Sequence, residues 1–354
     1  MKLTGKLFGL AFVFLTFTSS VFTGDDGALE INGLLRNDAY VIKTSNPDDY
    51  QFHNVLENRL LFEAKRLDWK YYADARLYLY GGEIAALYGD YNVELMRGFV
   101  RYYSTVGDFT LGKTYVNFGN TGVFNPFEFD KSVNFADLGY AREGLLALEH
   151  YFSWQDTSGI TTYVANTTPE ELMWGVSPTV HLGTFDLGLV HNHVGPDNNI
   201  SGAFFKGDLF VGVQGSWAVH SDDSYVPDYS EATVGLDYSF IDGDLLVSAL
   251  YYYNEAGATS PSKYIATTES FLLARHYGLL SVVGSIDEFW SVQLSAFVNL
   301  IDYSAVIIPS TVIVLTSGLS LTLQVSFFTA DGNEEFSTTR AGDLITMIRA
   351  EGKF

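Results

Sequence analysis

The feature that most narrows the fold of this chain is a period-two alternation of apolar and charged residues that recurs in one segment after another. In 29–40, Leu29, Ile31 and Leu35 share one parity, while Glu30, Asn32, Arg36 and Asp38 share the other. In 53–65, His53, Glu57, Arg59, Glu63 and Lys65 oppose Leu56, Leu60, Phe62 and Ala64. After a turn near Asp68, Lys70, Asp74 and Arg76 face away from Trp69, Tyr71, Ala73, Ala75, Leu77 and Leu79. Successive side chains of a strand point to opposite faces, so this pattern predicts half-buried strands. It does not say which face meets water. A soluble sandwich turns its apolar face inward, and a transmembrane barrel turns it toward lipid.

Four further features favour the barrel. Lys2 and Lys6 precede an apolar run from Leu7 to Phe17 and small residues at Thr18, Ser19 and Ser20, the pattern of a secretory leader over 1–24 with cleavage between Ser20 and Gly24. The 354 residues contain no cysteine, so an exported chain must find rigidity without disulfides, and a closed ring of strands supplies it by leaving no edge unpaired. Aromatics make up 16% of the chain, as expected of interfacial girdles. The alternating segments run about 9–14 residues, and a tilted spanning strand needs about 9–11. No linker or low-complexity tract divides residues 25–354, so they are expected to form one all-β domain: a closed antiparallel transmembrane barrel.

Tight turns are expected near Asp68, 106–108, 156–159, 183–184, 206–208, 242–243, 284–287 and 317–318. Longer connections are expected near 42–51, 82–92, 118–141, 167–170, 195–199, 221–229, 255–268, 303–309 and 330–339. Together they give about 18 strands, with 16 as the alternative count. Residues 305–328 carry no charge and are long enough for a membrane helix. Pro309, Gly318 and the alternation of Ser320, Thr322, Gln324 and Ser326 with leucine and valine point to a hairpin instead. The last strand, from about Arg340, ends on Phe354, an aromatic terminus of the kind that barrel-assembly machinery reads.

Six basic residues, Arg36, Arg59, Arg76, Arg97, Arg101 and Lys113, are expected on the inner face of the first five strands, where they would attract anionic or carboxylate-bearing solutes. The competing reading is that they only brace the wall by pairing with Glu57, Glu63 and Asp74. The 118–141 connection carries Glu128, Asp130 and Lys131 among Phe124, Phe127, Phe129 and Phe135. A connection so long and so aromatic is expected to fold inward and narrow the lumen, its acids facing the basic sector, with an external lid as the alternative. Gly112-Lys113, Phe118-Gly119 and Asn125-Pro126 with Glu128 resemble the Gly-Arg-Gln, Trp-Gly, Asn-Pro-Asp pattern of alginate-export-like and related porin families. The sequence departs from that pattern at Thr114, Phe118 and Glu128. The resemblance covers some thirty residues and implies passive movement of carbohydrate or other small polar molecules.

Catalytic and metal chemistry find little support. His191 and His193 share a strand face at a spacing that could bind a metal, but no third ligand stands nearby in sequence, and an interfacial role is expected. The other histidines have no seryl partner that sequence can assign. The formal net charge of −22 argues against nucleic acid as a partner. The expectation is therefore a bacterial outer-membrane channel for small polar or anionic solutes, without a cofactor. It would be embedded in lipid, assembled through Phe354, and trimeric by analogy with porins. A non-conducting attachment barrel and, further off, a barrel hydrolase are the competing classes.

Overall fold

The computed structural model describes residues 20–24, 27–43, 50–116, 118, 124–127, 143–155, 157–168, 171–195, 198–222, 228–264, 272–330, 332, 334–337 and 344–354. Numbering the strands along the chain, β1 is Ser20–Gly24, β2 Gly27–Lys43, β3 Tyr50–Arg66, β4 Trp69–Gly82, β5 Tyr91–Ser104, β6 Gly107–Thr114, β7 Leu145–Gln155, β8 Ser158–Thr168 and β9 Glu171–Leu182. The series continues with β10 Phe185–Val194, β11 Asn198–Asp208, β12 Gly212–Asp222, β13 Tyr229–Phe240, β14 Leu245–Asn254, β15 His276–Ser285, β16 Trp290–Asn299, β17 Ala305–Thr316, β18 Leu319–Phe328 and β19 Leu344–Lys353. From β2 to β19 each strand pairs antiparallel with the next, and β19 pairs back onto β2. Among the described residues this is a closed barrel of 18 strands. Closure leaves no unpaired edge, which is what a sheet needs in hydrocarbon.

The connections alternate between the two ends of the barrel close to the expected positions, but the longer one expected at 167–170 is the two-residue interval 169–170 between β8 and β9. The turn expected at 284–287 falls at 286–289, because Gly284 and Ser285 still pair with Val292 and Ser291. The turn expected at 206–208 falls at 209–211, because Gly207 and Asp208 still pair with Val213 and Gly212. The connection expected at 303–309 occupies 300–304, and Pro309 lies inside β17 opposite Leu294. Proline has no N–H to give, and the ladder from β17 to β18 skips from Ile307↔Phe327 to Ser310↔Gln324. The same device recurs at Pro178, where the β9–β10 ladder jumps from Thr179↔Gly188 to Val176↔His191. A proline can therefore stand within a spanning strand by forfeiting bonds on one side. Among the described residues helix is confined to single turns, of which α1 (Ala85–Tyr88) lies in the connection after β4.

The parity question is settled by burial. Trp69, Tyr71, Leu77 and Leu79 of β4 are exposed on the outside, and Leu148, Val164, Leu189, Trp217, Val234 and Leu294 continue this surface round the ring. On the opposite parity, Asp38, Glu57, Asp74, Arg76, Thr110, Asn192, Glu231 and Asn299 are buried. The outer wall is apolar and the charged parity is enclosed, the inverse of a soluble sandwich, with aromatic clusters filling part of the interior.

At the seam, Phe354 extends the pairing beyond β19: the Gly33 N–H donates to the Phe354 carbonyl at 2.7 Å, and the Phe354 N–H donates to the Gly33 carbonyl at 3.0 Å. The Phe354 ring lies over Gly33, in the space a Cβ there would occupy, so a side chain at 33 would have to displace the ring. β1 pairs with the first residues of β2, from Ala28↔Thr23 to Ile31↔Ser20, just beyond the stretch that β19 covers. The expected leader lies mostly in 1–19, outside the described residues.

Val234 is half exposed near the middle of β13, on the outward face. Replacing Val234 by Arg is expected to destabilise the barrel in lipid vesicles by about 2–4 kcal/mol in denaturant titrations, the cost of a charge facing the bilayer midplane.

Candidate functional site: the inner wall

Arg36, Arg59, Arg76, Arg97 and Arg101 all project into the barrel, and four of them join one chain of ion pairs. Arg36 contacts Asp38 at 3.2 Å and Glu57 at 3.0 Å. Arg76 contacts Glu57 at 3.2 Å and Asp74 at 3.5 Å. Arg59 grips Asp74 in two bonds of 2.8 and 2.7 Å, the fork geometry that guanidinium and carboxylate share. At the other end Arg349 of β19 grips Asp38 the same way, at 2.8 and 2.9 Å. Arg97 stands 3.6 Å from Asp74 and donates to the Tyr72 hydroxyl at 2.7 Å. Asp38, Glu57 and Asp74 thus link Arg349, Arg36, Arg76, Arg59 and Arg97 into one network.

Aromatic and hydroxyl groups also hold Arg97 and Arg101. The Arg97 guanidinium lies over the Tyr72 and Tyr115 rings, 4.8 and 4.9 Å from their centroids. Arg101 lies 5.6 Å over the Phe99 ring and donates to Thr110 Oγ1 at 2.9 Å. Ring faces attract cations without neutralising them. Arg101 also lines a niche with Asp108, Phe118, Glu149, Tyr151 and Thr161.

A bulge in β5 brings Arg97 and Arg101 inward. Arg97 faces Asp74 and Leu95 faces Ala75, so Met96 is one residue too many. Before it, Glu94 shares the face of Arg76; after it, the odd-numbered Arg97 and Arg101 point inward. Bulges re-aim side chains in this way, and strict period-two counting cannot reveal them.

Lys113 departs from the expectation. Its partners are Gly98 and Leu146, and it has the parity of Leu111, whose side chain is exposed on the outer wall. It pairs with Glu143 at the barrel rim, where a long stem can carry an ammonium to water. Lys113 is therefore not part of the inner basic sector, because Thr110 and Thr114 take the inward positions of β6. Of the bracing acids expected, Glu57 and Asp74 pair with arginines, whereas Glu63 pairs with Lys65 and Lys70.

The described part of the 115–144 connection enters the barrel. Phe118 packs against Tyr163, Phe127 against Phe204, and Phe124 against Tyr252 and Phe297, with ring centroids 4.9–6.4 Å apart. Asn125 is buried among them, donating to the Phe118 carbonyl and accepting the Phe127 N–H. The inward course expected of this connection is what the fold shows. Glu128, Asp130 and Lys131 lie outside the described residues.

His191 and His193 sit on the outer wall, on either side of Trp174, at 5.4 and 5.6 Å between centroids. His191 Nδ1 is 2.8 Å from Ser201 Oγ, and His193 Nδ1 is 2.9 Å from Asn199 Oδ1. Among the described residues no carboxylate bonds to His191, so this Ser–His contact lacks the orienting group that a hydrolytic triad uses.

A closed barrel of 18 strands with a polar interior and an inserted connection defines the porin class of architecture. No family model matches the chain and no curated protein matches it, so the alginate-export-like resemblance extends no further than its own residues. Solved structures do match. The outer membrane protein OpdK from Pseudomonas aeruginosa superposes with a TM-score of 0.64 at 8% identity, covering 92% of this chain and 98% of that one. OprD from Pseudomonas aeruginosa gives 0.58 at 10% identity, covering 95% of each chain. OmpF from Salmonella typhi gives 0.55 at 12% identity, covering 95% of this chain and 100% of that one. The fold is that of outer-membrane porins.

Asp74 is 1% exposed and serves three guanidiniums. Asp74→Asn is expected to cost about 3–5 kcal/mol in unfolding experiments, because it strands buried positive charge.

Proposed function

We propose that the chain is a bacterial outer-membrane porin that passes small polar solutes, anionic ones preferentially, by passive diffusion. The observation that carries this reading is the cluster of guanidiniums on one sector of the inner wall, where Arg349, Arg36, Arg76, Arg59 and Arg97 meet Asp38, Glu57 and Asp74 and where Arg101 lies in a niche beside Glu149 and Asp108. The low-dielectric wall concentrates the resulting field in the bore, favouring entry of anions. The bracing and selecting roles of the arginines coexist on this reading. Arg36, Arg59, Arg76 and Arg349 are committed to carboxylates and stiffen the wall; Arg97 and Arg101, held by rings and hydroxyls, supply the selecting charge.

Phe118, Phe124 and Phe127 of the 115–144 connection stand inside the barrel, and Glu128 and Asp130, with Lys131 next to them, would set a transverse field against the basic sector. Support for an outer-membrane location comes from the architecture shared with OpdK, OprD and OmpF and from the leader-like first 24 residues. Partners under this reading are lipid, the assembly machinery that would read Phe354, and two further copies of the chain in a trimer.

In planar bilayers with a salt gradient, the wild type is expected to show anion-preferring conductance. Arg97→Ala and Arg101→Ala should each move the reversal potential toward cation preference while leaving the barrel folded. Unchanged anion preference in both would reduce the arginines to braces, and absence of conductance in the folded wild type would favour an attachment barrel.

A further inference from the structure

The described residues 334–337 of the connection after β18 also lie inside the barrel, and they are held there through one buried carboxylate. Glu335 is 7% exposed. Its Oε1 accepts the Leu273 N–H at 2.9 Å, its Oε2 accepts Asn299 Nδ2 at 2.8 Å, and the Tyr277 hydroxyl lies 2.9 and 2.7 Å from the two oxygens. The Glu335 N–H donates to Asp302 Oδ2 at 2.9 Å, and the Phe336 N–H donates to Ser304 Oγ at 3.1 Å. Asn299 Nδ2 donates also to the Tyr264 hydroxyl at 2.8 Å. The Glu335 side chain therefore ties this segment to Leu273, to β15 and to β16, and the backbone N–H groups of Glu335 and Phe336 tie it to the connection at 300–304. Beside it Phe336 packs on Phe297 at 5.1 Å and Tyr277 at 6.4 Å, and Phe297 in turn meets Phe124 of the other inserted connection at 5.2 Å.

The groups facing Glu335 are a second carboxylate, Asp302, the phenols of Tyr277 and Tyr264, an amide and a backbone N–H. None of its hydrogen-bond partners among the described residues is a cation. We propose that Glu335 is a proton-operated latch: protonated, it keeps residues 334–337, Phe336 among them, docked inside the barrel, and ionised, it releases them. The latch rests on the porin reading only for its consequence, a bore that widens as pH rises.

Burial, reinforced by the Asp302 charge and partly offset by the donors from Tyr277, Leu273 and Asn299, raises the Glu335 carboxyl from its ordinary 4.5 to about 7. An acid whose docked form holds its proton more tightly than its released form stabilises docking below the ordinary value. That stabilisation is lost as pH climbs through about 7.

The absence of native cysteine allows a direct test. Ser337, fully buried in the docked connection, is replaced by cysteine, and Leu87, 79% exposed on α1, is replaced in a separate reference protein. Both folded full-length barrels are labelled with a membrane-impermeant thiol reagent from pH 5.5 to 8.5. The ratio of Ser337→Cys to Leu87→Cys labelling rates cancels the titration of the thiol itself. It is expected to rise about thirty-fold over this range, from the shift between 4.5 and about 7. Adding Glu335→Gln should make the ratio independent of pH. Tyr277→Phe, which removes a donor to the ionised form, should move the step to higher pH. A flat ratio in the Ser337→Cys protein, a step that survives Glu335→Gln, or a step that Tyr277→Phe leaves in place or moves to lower pH would overturn the latch. Labelling reports docking without ion flow, so a chain that shows the step and never conducts would sink the channel reading and keep the latch.

Discussion

The pairing of β19 with β2 is the constraint on which everything else depends. Until Leu344–Lys353 meets residues 34–43, the sheet has two open edges, and neither of its faces is an inside. Closure turns one parity toward hydrocarbon and encloses the other. It also joins residues from opposite ends of the sequence: Arg349 reaches Asp38 across the seam with two short bonds. Of the charge network on the inner wall, the Arg349–Asp38 link is the one that needs closure; the pairs from Arg36 to Arg97 join the consecutive strands β2 to β5.

Once enclosed, the inner wall divides into sectors of different chemistry. Over β2–β6 it is basic, with guanidiniums bridged by Asp38, Glu57 and Asp74. Over β14–β18 it is largely aromatic and aliphatic, with Tyr252, Tyr277, Phe297, Val306, Ile308 and Phe328 receiving Phe124 and Phe336 from the two inserted connections. Buried ion pairs are costly to desolvate and contribute little net stability. Their value here is geometric, since they fix the orientation of groups that would otherwise repel one another. The aromatic sector does the opposite work, giving the inserted connections an apolar surface to dock on.

Much of this was legible in the sequence because strand parity is a local property. The faces of β2, β3 and β4 could be read directly, as could the turn at Ser317-Gly318 and the inward course of a connection carrying Phe124 and Phe127. What escaped was non-local or broke the period. The bulge at Met96 shifts the parity of β5 without any composition signal, and Lys113 was assigned by its charge when its register with Leu146 puts it outside. Pro309 read as an interruption, yet a strand absorbs it by dropping ladder bonds on one side. Arg349 and Glu335 carry no local mark of their roles, because each acquires its partners only from distant strands: Asp38 for one, Tyr277 and Asn299 for the other.

The central claim is that the apolar parity faces lipid. All five tryptophans, Trp69, Trp154, Trp174, Trp217 and Trp290, lie exposed on the outer wall at 42–52%. Fluorescence of the unmodified protein, reconstituted in bilayers of brominated phospholipid, should therefore be strongly quenched from the chains. Emission that stayed bright in brominated lipid, while falling readily with a water-soluble quencher, would contradict the account.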